Sequence, residues 1–188
     1  MNNCTFVWLQ LVKIMSVENL KAHLRAVPDF PLPGITFWDI TTLIKDPECL
    51  REAIDAVYEL YKDKGITKVV GLESRGFFIG AAVAARLGAG FVPARKAGKL
   101  PCDVLMEPFE KEYGRDIVEM HTDAIEPDDV VLMHDDLLAT GGTMAAALRL
   151  VDKFSPAKVY ANFIIEIDRL GGRSLFPEGL EVESLIHV

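Results

Sequence analysis

The stretch Val130-Val131-Leu132-Met133-His134-Asp135-Asp136-Leu137-Leu138-Ala139-Thr140-Gly141-Gly142-Thr143 decides how the rest of the chain is read. Val130–Met133 is an apolar run of strand length, and it ends in two acids. A short Thr-Gly-Gly-Thr loop follows, and the apolar spacing over Thr143–Phe154 predicts a helix that starts at once. Unpaired N–H groups at a helix N-terminus carry positive partial charge and bind phosphate. Gly141 and Gly142 let the backbone come close to an anion, and Thr140 and Thr143 add hydroxyl donors. Asp135 and Asp136 stand at the carboxyl end of the expected strand, where ligands of open α/β sheets bind. Neighbouring carboxylates there can accept hydrogen bonds from the vicinal hydroxyls of a ribose. No lysine occupies the turn, which excludes G-x-x-x-x-G-K-[ST], and the dinucleotide fingerprint G-x-G-x-x-G is absent. The bland alternative is a tight strand-to-helix turn with an acidic approach. His134 reads as a strand-end histidine whose ring serves as a hydrogen-bonding partner.

Working outward, short apolar runs alternate with helical patterns, which is the sequence form of a parallel sheet with crossover helices. Asp46-Pro47 caps and opens a helix with Leu50, Ala53, Ile54, Val57, Leu60 and Tyr61 on one face, stopping at Gly65. Strand Lys68–Leu72, helix Phe77–Leu87 closed by Gly88, and strand Phe91–Ala94 come next. Gly98 to Glu112 has no periodicity and holds Pro101 and Pro108, so a long loop or flap is expected. Strand Ile117–Met120 follows it; beyond the central stretch come strand Lys158–Ile167 and a short last strand near Glu183–Val188.

A chain of 188 residues suits one domain, and a hydrophobic half with a quarter charged supplies an ordinary core. The net charge of −8 argues against bulk nucleic-acid binding, although a local positive patch can still take a polyphosphate. Cys4, Cys49 and Cys102 have neither CxxC nor metal spacing and read as free thiols of a reducing compartment, by default the cytosol. The apolar run Cys4–Ile14 lacks a basic start and a small-residue cleavage site, and it is shorter than the ~20 residues a bilayer span needs. Met15 therefore reads as the natural start, with Ser16 capping a helix through Arg25 and residues 1–14 an upstream extension. The alternative is an extra turn packed on the domain or on a partner subunit. Residues 15–188 form the expected domain.

An apolar strand, two acids and a T-G-G-T loop resemble the signature of the type I phosphoribosyltransferase family, and Asp-Asp-Leu-Leu-Ala-Thr-Gly-Gly-Thr looks like its adenine-using branch. The resemblance implies an α/β fold with a central, mostly parallel sheet flanked by helices, a small hood and a flexible flap over the active site. It implies purine salvage: transfer of the phosphoribosyl group of phosphoribosyl pyrophosphate to adenine, giving AMP and diphosphate, with Mg²⁺ as cofactor. It also implies a cytoplasmic homodimer with no nucleic-acid or membrane partner. Ala139, Thr140, Gly141, Gly142 and Thr143 would hold the 5′-phosphate, and Asp135 and Asp136 the ribose hydroxyls. Phosphoribosyltransferases of 6-oxopurines carry an aspartate where Ala139 stands, which speaks against hypoxanthine and guanine.

Further segments carry the same resemblance from Ser16 onward, thinning after Gly172. Asp29-Phe30-Pro31-Leu32-Pro33-Gly34-Ile35-Thr36-Phe37-Trp38-Asp39-Ile40 matches D-F-P-x-P-G-I-x-F-x-D-I, implying main-chain contacts to adenine at Thr36 and Trp38 and stacking by Phe37. Trp38 stands where relatives often have arginine. Gly71-Leu72-Glu73-Ser74-Arg75-Gly76-Phe77 makes a second strand-to-helix anion turn, for which the resemblance implies a cis Glu73–Ser74 peptide and a diphosphate contact by Arg75. Arg95-Lys96-Ala97-Gly98-Lys99-Leu100-Pro101 is the local positive patch, with Arg95, Lys96 and Lys99 implied at the diphosphate. In the flap, Lys111-Glu112-Tyr113-Gly114 keeps the glutamate–tyrosine–glycine core, while Pro108, Phe109 and Lys111 depart from the family pattern. Glu112 would exchange the purine N7 proton; the alternative is a loop carboxylate in water.

Overall fold

The structure, a computed structural model, describes residues 17–111 and 114–188, and it divides into two compact units that meet in sequence between Ala56 and Val57. The upstream extension expected at residues 1–14, and Ser16 as a cap, lie outside the described residues. In the first unit, residues 17–22 are helical (α1), and β1 (Arg25–Val27) pairs antiparallel with β2 (Phe37–Asp39). The helix expected through Arg25 thus ends sooner. Pro28 disfavours helical backbone at Val27, and Arg25 pairs with Asp39, their charged groups 3.7 Å apart. The connection between the strands has a cis Phe30–Pro31 bond, and the Asp29 carboxylate accepts the Gly34 N–H at 2.7 Å. Helix α2 (Thr41–Ile44) follows, and Asp46 Oδ1 then accepts the N–H groups of Glu48 and Cys49 at 3.0 and 2.9 Å, the cap expected for α3 (Pro47–Tyr61). Leu20, Ile40, Leu43, Cys49 and Ala53 are buried in this unit.

The second unit contains β3 (Lys68–Leu72), α4 (Gly76–Leu87), β4 (Gly90–Lys96), β5 (Val104–Lys111) and β6 (Gly114–His121). It continues with β7 (Val130–Leu138), α5 (Gly142–Asp152), β8 (Lys158–Glu166) and β9 (Glu181–His187), with two short 3-10 turns at Asp168–Leu170 and Gly172–Leu175. Among the described residues, seven strands form one sheet in the order β5-β6-β4-β3-β7-β8-β9. The pairs from β4 through β3, β7 and β8 to β9 are parallel, and β5 and β6 add an antiparallel hairpin at one edge. The two helices cover opposite faces, as period-two alternation along β7 requires. Val131 and Met133 share a core with Met144, Ala147 and Val151 of α5, whereas His134 faces α4, where a Cβ on Gly80 would crowd its ring. Gly88, left-handed at φ 72°, closes α4 as expected.

Three expectations about the sheet are corrected. The segment expected as a long loop from Gly98 to Glu112 is, over its described residues, a strand from Val104: β5 pairs with β6 in register from Val104↔His121 to Lys111↔Gly114. Pro108 is tolerated because β5 is the sheet's edge, where a missing N–H can face outward. The strand expected to end at Met133 runs on through both acids to Leu138, because β8 keeps pairing with it at Asp135↔Phe163, Leu137↔Ile165 and Leu138↔Glu166. The acids are therefore held by the sheet itself. In the same way β4 extends to Lys96, since β6 pairs with Arg95 and Lys96.

Candidate active site

The carboxyl ends of β3, β4 and β7 open on a cavity of about 320 Å³. Its walls include Glu73, Ser74 and Arg75 from the β3–α4 turn, Arg95 and Lys96 from β4, Asp135 and Asp136 from β7, and Ala139 and Thr143 from the glycine loop. Ala139, Thr140, Gly141, Gly142 and Thr143 line an adjoining cleft of about 90 Å³, backed by Phe163 of β8. The sheet thus brings together both expected anion turns and the two acids. Lys99 lies outside the cavity lining. The hairpin adds Phe109, Asp116, Ile117 and Val118, which sequence reasoning did not place there. A larger cleft of about 460 Å³ runs between the hairpin and α5 and has no acid pair.

The Glu73–Ser74 peptide is cis, as the resemblance implies. The Glu73 carboxylate is engaged by Arg95, whose Nε and Nη2 donate to it at 3.0 and 3.3 Å, and by the Lys96 N–H at 3.1 Å. Burial works against its charge, but Arg95 and the Lys96 N–H outweigh it and hold its pKa below the ordinary value. Arg75 Nε sits 3.0 Å from Asp136 Oδ2, while the Asp136 N–H donates to Asp135 Oδ1 at 2.9 Å. Asp135 titrates well above the ordinary carboxyl value, through burial first and the charge of Asp136 second. Burial also raises Asp136, against the pull of Arg75. Two neighbouring acids whose charged forms are disfavoured, near the carboxyl end of a central strand, are candidate ligand-binding residues.

His134 lies mid-strand and fully buried rather than at a strand end. The Asn162 amide donates to the Glu183 carbonyl at 3.1 Å, which leaves Asn162 Oδ1 to accept from His134 Nδ1 at 2.9 Å. Nδ1 therefore carries the proton, and the buried Nε2 makes no hydrogen bond. Burial pushes the ring's pKa down to about 4, so it is neutral.

The glycine loop has a support that the sequence hides. Gly141 is left-handed at φ 81°, and a Cβ there would collide with the carbonyl oxygen of Gly172. A Cβ on Gly172 would in turn collide with the carbonyl of Ala139. Two glycines distant in sequence thus pack backbone on backbone.

In the first unit, Thr36, Phe37 and Trp38 are half-buried, with Phe37 and Trp38 paired to Val27 and Ala26. Phe37 also meets Phe30 edge-on, ring centroids 5.4 Å apart. Glu112 and Tyr113 lie outside the described residues.

Residues 40–173 match the phosphoribosyl transferase domain, and the chain belongs to that family. Within it, the chain is 63% identical over 172 residues to the adenine phosphoribosyltransferase of Phocaeicola vulgatus, covering 92% of this chain and 99% of that one. Among solved structures, the adenine phosphoribosyltransferase of Rhodothermus marinus superposes with a TM-score of 0.88 at 50% identity, covering 93% and 99% of the two chains. The Saccharomyces cerevisiae enzyme, solved with an imino-altritol 1,6-bisphosphate and adenine, gives a TM-score of 0.86 at 39% identity, covering 92% and 99%. Among the described residues, no helix is long and apolar enough to cross a membrane.

Proposed function

We propose that the chain transfers the phosphoribosyl group of phosphoribosyl pyrophosphate to adenine, releasing AMP and diphosphate. The observation that carries this reading is the cavity in which the acid pair, the 73–75 turn and the cations of β4 meet beside a glycine loop. Its parts match a molecule with a monophosphate, a diol and a diphosphate. The 5′-phosphate goes to the N–H groups and hydroxyls of Ala139–Thr143, and the ribose hydroxyls go to Asp135 and Asp136. The diphosphate goes to the Ser74 turn, Arg75, Arg95, Lys96 and Lys99, with Glu73 contributing its peptide and orienting Arg95. Adenine goes to the main chain of Thr36 and Trp38 and the ring of Phe37. The N9 lone pair bonds to C1′ as the C1′–oxygen bond breaks, its electron pair leaving with the diphosphate. The base gives up its N7 proton, for which Glu112 is our proposed acceptor.

Four acids line the cavity: Glu73, engaged by Arg95 and the Lys96 N–H, and Asp116, Asp135 and Asp136, whose oxygens are the kind of ligand atom that a hard divalent ion takes. Mg²⁺ fits this lining and would be held mainly by diphosphate oxygens and water, with the Asp135–Asp136 pair at hand. When bound, it takes up negative charge on the leaving group. A homodimer and a cytosolic location belong to the same reading.

Diphosphate recognition is tested by Arg75→Met. Affinity for phosphoribosyl pyrophosphate is expected to fall roughly ten- to a hundredfold, the worth of one charge-assisted contact, with AMP affinity changing far less. Calorimetric titration with both ligands checks it. Equal losses for both would make Arg75 a partner of Asp136 only.

A further inference from the structure

The cationic segment that follows β4 is held from two sides by carboxylates. At its start, Glu73 takes the Lys96 N–H and the Arg95 guanidinium. At its end stands Glu119, on β6 opposite Arg95 and only 1% exposed. One Glu119 oxygen accepts the N–H groups of Lys99 and Leu100 at 2.9 and 3.0 Å, and the other accepts that of Gly98 at 3.1 Å. The Arg95 Nη1 closes the loop from within by donating to the Lys99 carbonyl at 3.1 Å. Burial works to raise the Glu119 pKa, and the N–H groups of Leu100, Gly98 and Lys99 overcome it, so the group is held ionised.

Burying a carboxylate is costly unless it is hydrogen-bonded, and Glu119 is compensated by three consecutive main-chain donors of an otherwise exposed loop, so the buried charge and the loop's course hold each other in place. Only an acceptor-only group suits the task. A carboxylate presents about four lone-pair sites, whereas an amide of the same shape turns a donor towards one of the N–H groups. Glu119 also lies one residue beyond Asp116, Ile117 and Val118, which line the cavity. The same strand therefore forms a wall of the cavity and anchors the loop.

Resting on the phosphoribosyl-transfer reading, we propose that Glu119 is a positioning residue for the diphosphate: it sets the path of the backbone that carries Lys96 and Lys99. It acts through the loop and touches no substrate. Its removal is felt by ligands that carry the diphosphate and spares those that lack it.

The test uses the full chain and Glu119→Gln. The KM for phosphoribosyl pyrophosphate is expected to rise about tenfold, with kcat, the adenine KM and AMP affinity staying within about twofold. Amide hydrogen exchange at Gly98, Lys99 and Leu100 is expected to speed up in the same variant. Glu119→Asp, which keeps an acceptor-only group on a shorter stem, should recover part of the lost affinity, and it carries the comparison if the glutamine variant does not fold. An unchanged KM for phosphoribosyl pyrophosphate, or equal weakening of AMP, overturns the proposal while an active wild type leaves the functional reading standing. A wild type that does not turn over phosphoribosyl pyrophosphate and adenine removes both.

Discussion

Asp135→Asn is expected to lower turnover at least about tenfold and yet raise the melting temperature at neutral pH. The loss follows from ribose recognition: an asparagine turns an N–H donor towards hydroxyls for which the carboxyl group can accept, and a buried group left unpaired costs about 1–3 kcal/mol. The gain follows from linkage. Folding raises the Asp135 pKa well above its ordinary 3.8, through burial and then the charge of Asp136. The folded state thus holds its proton more tightly than the unfolded state. That carboxyl costs nothing below the unfolded pKa, and its cost grows as pH rises from there to the folded pKa. An asparagine has no such cost, and its oxygen can still accept the Asp136 N–H. Paired melting curves and rate measurements across pH 4 to 8 check it. A lower melting temperature would show that the carboxylate supports the fold, and unchanged turnover would take Asp135 out of the site.

Gly141→Ala should have a larger effect, weakening AMP by at least about a hundredfold. The backbone there is left-handed, which costs a non-glycine residue roughly 1–3 kcal/mol, and the new methyl would strike the Gly172 carbonyl. Relief requires the loop to move its N–H groups away from the phosphate. Gly172→Ala should produce a loss of the same order, because its Cβ would strike the Ala139 carbonyl from the other side. Gly179→Ala is the control: it is also left-handed, at φ 80°, but has open space, so AMP affinity should stay within about threefold. If Gly172→Ala binds AMP normally, the contact between the two glycines does not shape the loop.

The region around Gly141 also shows what can be read from residues alone. The course from Val130 to Thr143 was legible because apolar run, acids, glycines and helix each leave a local mark, and the structure keeps them in that order. Its exact extent was not, since only pairing with β8 carries β7 through Asp135 and Asp136. The second strand of the hairpin was legible as Ile117–Met120, but the first was hidden by Pro108 and by charged residues that break any alternation, features an edge strand can carry. Glu119 carries no mark of its own, because nothing near it in sequence says that the N–H groups of Gly98, Lys99 and Leu100 converge on it. Gly172 was equally silent. Its partner is Gly141, and no periodicity or motif links the two.

The central claim is the transfer of phosphoribosyl to adenine, and its most direct test is diphosphate release from phosphoribosyl pyrophosphate and Mg²⁺ against adenine, hypoxanthine, guanine and orotate. A site that accepts the N6 hydrogens of adenine presents acceptors there, and the O6 of hypoxanthine would leave them unpaired. Such a mismatch costs about 1–3 kcal/mol or more for each group. Separately, Ala139 leaves the loop without an acid for a 6-oxopurine. Adenine is expected to exceed each other base by at least about a hundredfold in kcat/KM, and chelation of the metal should abolish release. Comparable rates with hypoxanthine and adenine, or release that ignores the base altogether, would contradict it.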